Sequence, residues 1–155
     1  MFHLKTIFND DDSRKLLARV DLLTPELQRR WGKMTAHQAV VHLNDSMRAI
    51  VGERHPAQRP YTLKRRITAF VGFTLPFPWP RGRVKTSVEN DQMKGGTKPG
   101  NFSDDVVQLK ALVQRIRSSK GIGLPRHHAW GDMKPSVLGR YVYRHINHHL
   151  RQFGL

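Results

Sequence analysis

The sequence predicts an all-α chain, a four-helix bundle with a long crossover between helices 2 and 3. Three observations predict it. Apolar residues recur at helical spacing in four segments, most with a start signal. No segment alternates with the period of a strand. Residues 53–102 form an irregular connection of about 50 residues, far longer than most loops and of a length often tied to function. A chain of 155 residues without internal repeats is expected to form a single domain spanning 1–155.

The first helix follows "NDDD", which offers caps and places negative charge where a helix N-terminus favours it. Leu16, Leu17, Val20 and Leu23 keep helical spacing until Pro25 interrupts it. The second starts at "TAHQ", where Thr35 and Gln38 have capping-box spacing. Ala36, Ala39, Val40, Leu43, Met47 and Ile50 mark its apolar face, and Gly52 ends it. In the connection, "LKRRITAFVGFTL" can form a short helix, whereas "PFPWPRGR" cannot, because prolines alternate through it. "KGGTKPGN" has turn chemistry. The third helix opens at Ser103, with Asp104 and Asp105 in its first turn, and closes before Gly121. The fourth has Lys134 near its cap and Pro135 at the first helical position, and runs to about Phe153.

The chain has no cysteine, so disulfides, a cysteine nucleophile and thiolate ligands from the protein are excluded. Thiol chemistry would need a thiol from a small molecule. No run approaches the ~18 apolar residues of a membrane span. The N-terminus turns acidic where a signal peptide would turn small and apolar, so a cytoplasmic protein is expected. The formal charge is +15, which points first at polyanions. From Arg54 to Lys98 there are ten basic and two acidic residues, and the rest of the excess is scattered. No stacking signature, zinc-finger spacing or long basic helix supports nucleic-acid recognition as the main function.

The informative stretch is the terminal "YRHINHHLRQFGL". At about 100° per residue, His149 falls ~40° from His145, with Leu138, Val142, Phe153 and Ile146 on the same side. His148 falls on the boundary. Arg140, Arg144, Asn147 and Arg151 gather opposite, so Arg144 and Arg151 are expected in solvent. His145 and His149 thus stand one turn apart on the apolar face, a spacing by which two imidazoles can share one ion. Two core-border histidines satisfied by carbonyls or water account for the pair equally. His42 is the best third ligand: it lies mid-helix with small neighbours, Ala39, Ser46 and Ala49. His37, in a first turn, is expected to be exposed, and His3 and His55 to lie in loops. His127 and His128 can line the mouth of a site. Three neutral imidazoles with an open fourth position make a reactive site, and nitrogen ligands suit a divalent transition metal such as Zn²⁺ or Ni²⁺. Asn44, Asp45 and Gln152 are near enough in sequence to support a ligand.

Four pieces, "RWGKMTAHQAVVHLNDS", "PWPRG", "HHAWGDM" and "YRHINHHLRQFG", lie in order between Trp31 and Gly154. Together they resemble the signatures of an uncharacterised bacterial branch of the DinB/YfiT-like superfamily. The resemblance implies a four-helix bundle with a long second crossover. It also implies a metal held by one histidine of the second helix and a His-x-x-x-His pair of the last. By position these are His42, His145 and His149, with His148 outside the set. Similar proteins often form homodimers. Characterised relatives include transferases and isomerases that use low-molecular-weight thiols such as bacillithiol or mycothiol, and others have no known activity.

The leading expectation is a metal-dependent enzyme that activates water or a low-molecular-weight thiol for transfer or hydrolysis of a small-molecule substrate. A non-catalytic metal-binding or basic module touching nucleic acid is the alternative, and a purely structural histidine tie between helices is a third. Arg65, Arg66, Arg81 and Arg83 make the connection cationic, either as solvated surface or to steer an anionic substrate. Trp31 and Trp130 are expected to seat helix entrances, Trp79 is a candidate lid residue whose exposure decides the role, and Asp45 is expected to be an exposed helix residue. No nucleophile elbow, P-loop or dinucleotide fingerprint is present.

Overall fold

A computed structural model describes residues 4–82 and 86–155; His3 and Arg83 lie outside the described residues. The described residues form five α-helices and one 3₁₀ turn, joined by irregular segments, with no strand. Helix α1 spans Asp10–Val20, with Asn9 accepting a hydrogen bond from the Asp12 amide at 3.0 Å and three aspartates in the first turn. It stops before Leu23, which is buried from the turn that follows. Helix α2, Ala36–Ile50, carries both halves of the expected capping box: Gln38 N–H donates to Thr35 Oγ1 (3.1 Å) and Thr35 N–H to Gln38 Oε1 (2.9 Å).

The connection contains the fifth helix, α3, Leu63–Thr74, capped by Thr62, and a 3₁₀ turn at Val88–Asn90. Helix α4, Phe102–Ser118, begins one residue before Ser103 because Asn101 takes the cap. Helix α5, Pro135–Gln152, follows Lys134 and keeps Pro135 at its start, where the missing N–H costs nothing. No helix of the described residues is long and apolar enough to cross a membrane.

Helix α2 packs against α4, α5 and the 3₁₀ turn, while α5 also meets α1 and α3. Every residue of α2 from Ala39 to Met47 is therefore buried, polar ones included. This corrects the expectation for Asp45. Its carboxylate is fully buried and accepts from Arg54 Nη1 (3.0 Å), Gln92 Nε2 (2.8 Å), Thr97 N (2.9 Å) and Thr97 Oγ1 (2.7 Å). The same Arg54 donates to the Glu89 carbonyl at 2.6 Å. One buried carboxylate on α2 thus pins the connection that carries the 3₁₀ turn.

Two further expectations change because neighbouring segments, the connection for Arg144 and α4 for His37, cover side chains expected in solvent. Arg144 is half-buried and donates to the carbonyls of Leu75 and Phe77, holding the proline-rich segment against α5. His37 is half-buried and pairs with Asp105 of α4 at 2.7 Å. Arg151 is exposed, as expected.

Candidate metal centre

His42 from α2 meets His145 and His149 from α5 in the interior. His42 and His145 are buried and His149 half-buried. One ligand atom from each lies within 4.8 Å of the other two, an arrangement that can hold a metal ion. His148, one residue from His149, is outside the group; its ring lies 4.7 Å from Trp31 and 5.7 Å from Trp79.

The ring nitrogens explain why the group suits a cation. His42 Nδ1–H donates to the Asn90 carbonyl at 2.7 Å, so His42 Nε2 carries a lone pair. His149 Nδ1–H donates to Gln152 Oε1 at 3.0 Å, leaving its Nε2 a lone pair too. His42 Nε2 and His145 Nε2 stand 3.1 Å apart. Nitrogens on one tetrahedral zinc stand ~3.3 Å apart when the bonds are about 2.0–2.1 Å. The His42–His145 pair is near that spacing, and one ring nitrogen of each histidine lies within 4.8 Å of the others.

A hydrogen bond between His42 and His145 needs a proton on His145 Nε2, which leaves His145 Nδ1 as a buried acceptor without a partner among the described residues. It also leaves the His149 lone pair unserved. A shared cation takes up the inward lone pairs of all three histidines, while His145 Nδ1 stays without a partner among the described residues in either case.

Burial pushes the His42 and His145 rings below the ordinary histidine range, and His149 likewise. Histidine neighbours push His145 and His149 further down, whereas the Asn90 carbonyl and Asp45 partly offset the effect at His42. All three are neutral at pH 7, the state in which imidazole binds metal.

Two supporting residues were not assigned from sequence. Gln152 takes the acceptor role at His149, while Asn44 turns away and donates to the Asp105 carbonyl at 2.9 Å. Gly32 of "RWGKM" has φ +81°, and a Cβ there would meet Gln152 Nε2 at 2.5 Å. That glycine makes room for the glutamine that orients His149.

A cavity of about 410 Å³ reaches the cluster on its His42 and His145 side. His127 and His128 line it, as do Trp79, Trp130 and Tyr141. "HHAWGDM" forms its own turn: His127 and Gly131 exchange backbone hydrogen bonds at 3.0 and 2.9 Å, and Gly131 has φ +72°. Trp79 is half-buried, donates Nε1–H to the Gly72 carbonyl at 2.8 Å and places its ring 5.9 Å from His145. Trp31 and Trp130 are half-buried, and Trp130 packs edge-on against Phe73 at 5.3 Å. Of the arginines in the connection, Arg65 faces the cavity, while Arg66 and Arg81 are exposed.

Comparison with protein-family models, with curated proteins and with solved structures finds no match for this chain.

Proposed function

We propose that the protein is a metal-dependent enzyme of the DinB/YfiT-like type. In this reading α1, α2, α4 and α5 form the four-helix bundle and α3 belongs to its long crossover. His42, His145 and His149 hold one divalent transition metal, Zn²⁺ or Ni²⁺. The bound ion supplies Lewis acidity that activates water or a low-molecular-weight thiol. The chain's own contribution is orientation: Asn90 and Gln152 fix which nitrogen of His42 and His149 faces inward, and Trp79 shields His145 from bulk water. A small-molecule substrate enters through the cavity, and the cationic connection favours an anionic one. In this reading the protein acts in the cytoplasm and forms a homodimer.

The observation that carries this reading is the convergence of three neutral imidazoles from two helices beside a cavity. Metal analysis of protein purified without an affinity tag tests it. About one equivalent of a single transition metal is expected in the parent and under a tenth in His145→Ala. Metal-free parent protein after reconstitution, or equal content in the two, removes the reading.

The +15 charge favours a second reading, a metal-binding bundle that touches nucleic acid without catalysis. Affinity for duplex DNA that falls steeply with salt supports it, and weak, salt-insensitive binding removes it.

A further inference from the structure

The cavity beside the histidines has a charge distribution that the metal reading does not use. Its described lining carries three fixed cations, Arg59, Lys64 and Arg65, and no carboxylate. Two of them are tied to the His127–Gly131 turn. Arg59 N–H donates to the His128 carbonyl at 2.8 Å, and Arg65 Nη1 to the Ala129 carbonyl at 3.3 Å. The Arg65 guanidinium also lies 6.0 Å from the Trp130 ring centroid.

Neither arginine takes part in an ion pair among the described residues. Glu89, on which Arg59 acts electrostatically, is not part of the lining. The Arg59 backbone and the Arg65 guanidinium are thus anchored at a cavity whose described lining holds cations and no carboxylate, an arrangement that a bound anion completes.

The same turn fixes a neutral donor. His127 is buried, and its Nδ1 accepts from the amides of Ala129 (3.1 Å) and Trp130 (3.3 Å). A neutral imidazole whose Nδ1 accepts carries its proton on Nε2. Burial holds His127 neutral, with its pKa lowered to about 3, so the Nε2–H donor persists across the physiological range. His128 Nδ1, in the same turn, is buried without a partner among the described residues. Trp79, Trp130 and Tyr141 supply aromatic surface to the remaining wall.

We infer that Arg59, Arg65 and the His127 Nε2–H form an oxyanion subsite for the carboxylate or phosphate group of a small substrate with an apolar body. The inference rests on the reading of this cavity as the substrate site. The reacting end of the substrate lies toward His42 and His145, and the anionic end at the arginine wall.

The experiment follows tryptophan emission of the full chain at physiological salt, which suppresses diffuse attraction. Benzoate, inorganic phosphate and uncharged benzyl alcohol are titrated into metal-free and metal-loaded protein. Benzoate or phosphate is expected to bind both forms, and the tighter of the two names the oxyanion. Benzyl alcohol binds at least about tenfold more weakly than benzoate, and Arg59→Gln and Arg65→Gln each weaken the anion about tenfold, as loss of a charge-assisted hydrogen bond implies. Arg81→Gln leaves binding unchanged. Affinities equal in the parent and both cavity variants overturn the inference, as does benzyl alcohol binding as well as benzoate, or no anion binding. Binding seen only with metal and unaffected by the arginine changes assigns the anion to the ion, overturning the inference but sparing the metal reading. Arginine-dependent binding in a protein that takes up no metal sustains the inference and removes the metal reading.

Discussion

Each histidine of the cluster has two nitrogens, and the metal reading depends on which one is free. At His149 that choice is made by Gln152, whose Oε1 accepts the Nδ1 proton. Gln152→Ala removes the acceptor while leaving the three imidazoles in place, and metal affinity is expected to fall about 10- to 100-fold, read by competition with a chromophoric chelator. Unchanged affinity would show that the helix alone orients the ring. Gly32→Ala acts on the same contact from the other side, through a Cβ 2.5 Å from Gln152 Nε2 and an unfavourable φ of +81°. It should lower stability by about 1–2 kcal/mol in chemical denaturation and weaken metal binding in parallel. The clustered pair His145 and His149 was legible in sequence because helical spacing places both on one apolar face. The supporting residues were not. Gln152 is one of several polar residues near the cluster, and the use of Gly32 appears only when the segment before α2 lies against the end of α5.

At the scale of elements, caps and apolar spacing placed the four main helices to within a few residues, since both signals are local. Within the connection the short helix of "LKRRITAFVGFTL" was legible in the same way, as α3, whereas the placement of the connection was not. Its position comes from polar contacts with distant partners: Asp45 bonds Gln92 and Thr97, and Arg144 grips the Leu75 and Phe77 carbonyls. None of these has a periodicity. Asp45, expected to be an exposed helix residue, lies on the stretch of α2 that α4, α5 and the connection bury together. Asp45 is then a positioning residue for the site: it holds the segment whose Asn90 carbonyl receives the His42 proton. Asp45→Ala strands Arg54 and frees that segment. It should cost about 3 kcal/mol and raise amide exchange around residues 88–97 while helices α4 and α5 stay protected. Protection in 88–97 equal to the parent would show that apolar packing, and not this carboxylate, holds the connection.

For the molecule as a whole, burying so many neutral histidines makes stability depend on pH. Six have lowered pKa values: His42, His127, His128, His145, His148 and His149, with burial the largest cause in each. A histidine lowered in the folded state binds fewer protons than its unfolded counterpart, whose pKa is about 6.5. The unfolded chain therefore gains more protons as the pH falls. The stabilisation is fully present above pH ~6.5 and is lost progressively below it, until the folded group also titrates. His127 titrates at about 3 in the fold, and its loss alone amounts to about 2 kcal/mol at pH 5. Each added proton also joins a chain whose formal charge is already +15. In the presence of a chelator, the melting temperature is expected to drop steeply between pH 7.5 and pH 5. The His127 share corresponds to about 4–8 °C for a chain of this size. His127→Gln should start from a lower melting temperature at pH 7.5, because it loses the acceptor for the Ala129 and Trp130 amides, yet lose less on acidification. A variant slope as steep as the parent's would mean that His127 is protonated in the fold, and its assignment as a fixed neutral donor would fall with it.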